Sequence, residues 1–139
     1  MGNVERHRTA HQAFNHREWE KVAGLTAEGC TYTDQPRGVT VKSRQEFVGW
    51  LKEWEQSFSD AAVTDPTYYD AGDTTIAVFT GAGTNDGALG PFPASNQRIT
   101  WPLCEILHWE GGEIVSGELF YDQMTMLVQA GHIQPPPQQ

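Results

Sequence analysis

Basic residues are scarce in this chain: nine Lys and Arg stand against eighteen Asp and Glu, a formal net charge of -9. Binding phosphate needs clustered Lys and Arg, and no such run exists, so nucleic acid and anionic membrane surfaces are excluded as partners. Cysteine is scarcer still. Cys30 and Cys104 supply neither a disulfide framework nor a paired metal spacing, which predicts reduced thiols and a cytoplasmic protein. No apolar run is long enough to span a membrane, and the first residues, MGNVERHRTAHQ, lack a secretory apolar core. Gly2 follows Met1, but Arg6 occupies the position where myristoylation requires Ser or Thr. What remains is a chain of 139 residues, 38% hydrophobic, sized for one domain with a real core.

The most structured stretch is Ile99 to Gln123, ITWPLCEILHWEGGEIVSGELFYDQ. It reads as an antiparallel hairpin with arms 99–109 and 114–122 around a Gly111-Gly112 turn, because glycine supplies the positive φ of a tight hairpin. Pro102 cannot donate to a ladder, which predicts an edge position or a bulge. Alternation puts Trp101, Leu103, Glu105 and Leu107 on one face of the first arm and His108 on the other. On the second arm Glu118, Phe120 and Asp122 share a face. If the two faces coincide, Glu105, Glu118 and Asp122 look into one aromatic-walled space, where a carboxylate can act as a general acid or base. If they are reversed, those carboxylates meet solvent, and spacing does not choose.

Taken in order, residues 3–15 read as a helix with His7, Ala10, His11 and Phe14 at helical intervals. His7 and His11 have the spacing of two metal ligands on one helix face. With no evident third ligand they read as ordinary surface or boundary histidines, and no metal is expected. A short helix follows over 17–23. Gly29–Asp34 reads as a strand with Cys30, Tyr32 and Asp34 on one face, then a turn at Gln35–Gly38. Asp34 at a strand end fits either a catalytic group or a turn-former. Ser43 with Glu46 forms a capping box for a helix to about Phe58, whose stripe is Phe47, Trp50, Leu51, Trp54 and Phe58. Two strands, 61–70 and 74–83, precede a Gly- and Pro-rich loop over 84–96, the kind of segment that serves as a lid or an interface. Asp122 opens a last helix, where N-cap and catalyst are both natural roles, and the end, residues 134–139, is expected to be a disordered tail.

Early helices followed by strands joined through short turns predict an α+β domain over residues 1–133, a curved, mostly antiparallel sheet wrapped around one long helix. The segments YTDQPRG, SRQEFVGWL, GPFPASNQRITWPLCEILHWEGGEIVSGELFYDQ and MLVQAG resemble the SnoaL-like polyketide cyclases of the nuclear transport factor 2-like superfamily. The resemblance implies a cone-shaped fold, a homodimer formed through the outer sheet face, and chemistry without metal or cofactor. It implies an intramolecular aldol condensation that closes a ring of an aromatic polyketide ester. The acid/base residue of the family maps to Asp122, and an Asn of its first strand maps to Asp34. A polar residue of the penultimate strand maps to Glu105 or His108. Asp34 is a departure, because Asn can donate to an enolate oxygen and an ionised Asp cannot.

The expected substrate is a small, hydrophobic, carbonyl-bearing molecule. Catalysis would rest on Asp122, Asp34 and Glu105, and binding on Tyr32, Trp50, Trp54, Trp101, His108, Glu118 and Phe120. The alternatives are an isomerase or epoxide hydrolase on the same fold, or a non-catalytic binding or dimerisation module.

Overall fold

The computed structural model describes residues 1–137. Their element order is α1 (Asn3–Asn15), α2 (Trp19–Gly24), β1 (Thr26–Asp34), β2 (Val39–Val41), α3 (Arg44–Ser57), β3 (Ala62–Ala71), β4 (Thr74–Thr84), β5 (Arg98–Glu110), β6 (Glu113–Tyr121) and α4 (Gln123–Gln129). Residues 134–137 carry no regular structure, and the remaining two positions of the expected tail lie outside the described residues. No helix is long and apolar enough to cross a membrane among the described residues.

The strands form one curved, unclosed sheet in the order β2-β1-β6-β5-β4-β3. Every pairing is antiparallel except β1 with β6. Strand β2 is an addition to the sequence reading. It is three residues long, largely exposed, and sits directly after the Gln35–Gly38 turn, so no periodicity betrays it. Pro102 lies in a central strand, yet its position is locally an edge. Pairing with β6 starts only at Leu103↔Tyr121, and the N–H of Thr100 already leaves the sheet for Gln129 Oε1 on α4, at 3.0 Å. The nitrogen of Pro102, two residues on, faces the same vacated side.

Helix α3 starts where Ser43 Oγ accepts the N–H of Glu46 at 3.1 Å, a cap worth about 1 kcal/mol. The Glu46 carboxylate reaches back one residue further than a standard box and accepts the N–H of Lys42 at 2.8 Å. Its buried face, Phe47 and Trp50, continues into Phe58, and these pack with Tyr32, Trp101, Leu103, Leu107 and Leu119 from the sheet. Helix α1 lies against β3 and β4 and buries His7, His11, Ala13 and Phe14.

The register of the β5–β6 hairpin decides which carboxylates enter the core. At the turn, Glu110 pairs with Glu113 and Trp109 with Ile114. Carried on unbroken, that register would set Glu105 opposite Glu118. A bulge between His108 and Trp109 shifts it by one, so Glu105 faces Leu119 and Ile106 faces Glu118. The inner face is therefore Leu107, Glu105, Leu103 and Trp101 with Gly117 and Leu119, and the faces that would have joined Glu105 to Glu118 and Phe120 are reversed.

Candidate active site

Glu105 is 7% exposed and is held by three side chains from two other elements. His7 Nε2 and His11 Nε2, both on α1, lie 2.8 and 2.7 Å from its Oε1. The Tyr32 hydroxyl, from β1, donates to Oε2. Each imidazole is supported on its far side: His7 Nδ1 by Thr75 Oγ1 and His11 Nδ1 by the Tyr68 hydroxyl, both at 2.7 Å. Trp109 Nε1 donates to the same Thr75 oxygen at 2.8 Å. An ionised carboxylate only accepts, so both Nε2 atoms carry hydrogen, and the two Nδ1 atoms accept from Thr75 and Tyr68. Every polar atom of the cluster is then satisfied without a conflict.

The electrostatics agree with that proton count. Burial works to raise the Glu105 pKa, but the hydrogen bonds from His11 and His7 outweigh it and hold the carboxyl well below the usual range. Burial lowers the pKa of His7 and keeps it neutral. Burial, followed by the nearby Glu105 charge, pushes the Tyr32 phenol far up, so it remains a donor. Two histidines and a glutamate are also a metal-binding set, their ligand atoms within 4.8 Å of one another. Here the two nitrogens converge on one oxygen at 2.7 and 2.8 Å. Two ligands sharing a tetrahedral ion at about 2.1 Å would stand about 3.4 Å apart. The geometry is that of a hydrogen-bonded clamp.

The clamp forms one end of an apolar cavity of about 70 Å³. His11 and Glu105 are its ionisable wall, and Phe14, Trp54, Phe79 and Trp101 supply aromatic surface. A larger groove of about 460 Å³ lies outside it, lined by Arg37, Glu53, Tyr121, Met126 and the loop residues Ala88–Phe92. Trp50 and Trp54 line both spaces, which adjoin at these two rings. The Gly- and Pro-rich loop thus borders the groove, pinned by buried Asn85. Its amide donates to Ser57 and Gly87 carbonyls, and its oxygen contacts Ser95 and His132.

Asp34 is 1% exposed and lines neither space. Its Oδ2 accepts from Trp50 Nε1 at 3.2 Å, and its Oδ1 accepts from the Tyr121 hydroxyl at 2.9 Å and the Arg37 N–H at 3.3 Å. It fixes two groove walls from behind and, lining neither space, is not presented to a substrate.

The structure brings Glu105, Tyr32, Trp50, Trp54 and Trp101 together and leaves others of the expected set outside. Asp122 is exposed and caps α4, accepting the Thr125 N–H at 3.0 Å and the Thr125 hydroxyl at 2.6 Å. Those bonds lower its pKa. Glu118 is half-buried on the outer face and accepts from Gln35 Nε2 at 3.2 Å. Phe120 is 42% exposed on that same face, a correction that follows from the bulge. His108 is also outside, its Nδ1 3.0 Å from Thr74 Oγ1. His7 and His11 are the residues that sequence reasoning set aside. They are buried, not at the surface, because Glu105 is their common third partner. Their four-residue spacing was the available signal.

This architecture, an unclosed six-stranded sheet over helices, has known relatives. The chain belongs to the SnoaL-like polyketide cyclase family, whose sequence pattern matches residues 5–130. Among solved structures it is similar to a protein of ketosteroid isomerase-like fold from Catenulispora acidiphila DSM 44928, solved with trimethylamine. They share 24% identity over 91% of this chain and 92% of that one, TM-score 0.79. A candidate polyketide cyclase from Pseudomonas putida KT2440 is 19% identical over 94% and 98% of the two chains, TM-score 0.84. IdmH, a candidate polyketide cyclase from Streptomyces antibioticus, is 19% identical over 91% and 96%, TM-score 0.80. No curated protein matches the sequence.

Proposed function

We propose that this protein is a cofactor-independent acid/base enzyme that closes a ring by intramolecular aldol-type condensation on an aromatic polyketide ester. The observation that carries this reading is the ionised Glu105 carboxylate, clamped by His7, His11 and Tyr32 at the wall of an apolar cavity. Glu105 takes a proton from carbon α to a carbonyl, breaking that C–H bond and leaving an enolate. The enolate carbon attacks a second carbonyl of the same molecule and forms the C–C bond. The new alkoxide oxygen then takes the proton back from Glu105, so the step needs no oxidant, reductant or added proton.

The hydrogen bonds from His11 and His7 hold the basicity of Glu105 down, so the proton it takes up is readily handed on to the alkoxide. The aromatic walls exclude water from the enolate. Trp50, Trp54 and Trp101 flank the flat substrate, whose body extends past Trp54 into the outer groove. Asp34 acts through Trp50 and Tyr121 as a positioning residue, and Asp122 serves α4, not the chemistry. Two copies pair through the outer sheet face, where Val78, Cys104 and Phe120 stand in one cross-strand row. The test compares wild type and Glu105→Gln on a tricyclic aromatic polyketide methyl ester, with product read by mass and retention time. Ring closure by wild type alone is the expected result. Equal conversion by both would refute the role of Glu105, and ester bound but never cyclised would refute the aldol reading.

A further inference from the structure

Trp101 is 4% exposed and lines the inner cavity, and its indole Nε1–H is buried with no hydrogen-bond partner among the described residues. A buried donor left unpaired costs on the order of 1–3 kcal/mol, so its persistence calls for a reason. The neighbouring indoles sharpen the contrast. Trp50 Nε1 is bonded to Asp34 and Trp109 Nε1 to Thr75.

The ring is also fixed in place. It stacks on Trp54 at 6.0 Å between centroids and packs on Phe58 at 5.3 Å. Its inner edge rests on Gly81, where an added Cβ would come within 3.1 Å of two indole carbons and 2.8 Å of Leu103 Cδ1. A side chain at residue 81 would crowd the indole and clash with the Leu103 methyl.

We infer that Trp101 Nε1 is the specificity-determining donor of the cavity and takes the carbonyl oxygen of a neutral ligand. The inference rests on the proposed function and names what the inner cavity recognises. An indole N–H donates and cannot accept, so the group that meets it is an acceptor. The ionised Glu105 on the same wall repels a carboxylate, and one neutral donor does not compensate the desolvation of an anion. The acceptor is therefore an uncharged ketone or ester oxygen. Trp101 and Glu105 are four residues apart on one face of β5, so the indole and the carboxylate line the same cavity. The ligand presents a carbonyl oxygen to the indole.

The probes are cyclopentanone and methylenecyclopentane, which share a shape and differ in the acceptor oxygen. They are titrated into full-length ¹⁵N-labelled protein while the indole N–H resonances of its five tryptophans are followed. Trp101→Phe assigns the resonance of interest. The expected result is a downfield shift of that one resonance with cyclopentanone alone, and at least fivefold tighter binding of the ketone, a preference lost in Trp101→Phe. Equal binding of the two probes, an unmoved Trp101 resonance, or no binding of either would overturn the inference. Should Trp101→Phe fail to fold, Trp→Phe changes at the other four tryptophans assign the resonance by elimination, and the wild-type shift difference decides. Ketone recognition at Trp101 with no ring closure on any polyketide ester would leave this inference standing while the proposed reaction failed.

Discussion

His11 Nε2 lies 2.7 Å from Glu105 Oε1 although the two residues are 94 positions apart in the chain. The contact ties the first helix to the central strand, and the buried His–Glu cluster exists only when both are in place.

Acid weakens the fold in two stages. An unfolded His takes up a proton near pH 6.5, whereas His7 in the folded protein, its pKa lowered mainly by burial, does so only further down. The unfolded state therefore binds more protons below about pH 6.5, and stability falls as pH drops. Glu105, whose folded pKa is held well below the usual range, adds a second loss below about pH 4.3. Thermal melts from pH 7.5 to 3.5 should show Tm falling gently from about pH 6.5 and steeply below about 4.3. His7→Gln should flatten the first stage. A wild-type Tm that stays level down to pH 5 contradicts the burial of a neutral His7.

Gly117 faces the ring that holds Glu105. A Cβ there would stand 2.8 Å from Tyr32 Cδ2 and 2.7 Å from Leu107 Cδ2. Tyr32 is itself packed against Phe47 and Trp50, each with a ring centroid 4.8 Å away, which limits its retreat. Gly117→Ala should destabilise by about 1–3 kcal/mol, read from urea midpoints. An unchanged midpoint would mean that the Tyr32 ring is not packed as described.

Asp122 and Glu105 should separate cleanly on substitution. Asn caps a helix nearly as well as Asp, so Asp122→Asn should leave both melting and turnover close to wild type. Loss of turnover in Asp122→Asn, with ligand binding intact, would move the acid/base role to the strand end.

The outer sheet face offers Phe120 at 42% and Val78 at 44% exposure. Phe120→Asp should convert a dimer to a monomer in sedimentation velocity while the far-UV spectrum of the folded chain is kept. A monomeric wild type, or a dimeric variant, would place any association elsewhere.

Much of the fold follows from short-range patterns. The Ser43 cap, the Phe47–Trp50–Phe58 stripe and the glycine turn of the hairpin involve residues within a few positions of one another, and the α+β order follows from them. The site was less legible for two physical reasons. One inserted residue near the hairpin turn reverses the faces beyond it, and nothing in the alternation of β5 or β6 records that bulge. The His7–His11 pair takes its meaning from Glu105, 98 positions from His7, so its spacing looks idle until the sheet closes over it. Asp122 had two natural roles at a strand-to-helix junction, and the Thr125 contacts belong to capping.

Proton abstraction by Glu105 can be measured without the natural substrate. Incubated in D₂O with 2-tetralone, a flat ketone with exchangeable α-protons, the wild-type protein should speed deuterium uptake at the α-carbon well above the buffer rate by NMR. Folded Glu105→Gln, with His11→Gln as the alternative should the first not fold, should bring the rate down to that of buffer. Exchange that persists undiminished in a folded Glu105→Gln would contradict the account at its centre.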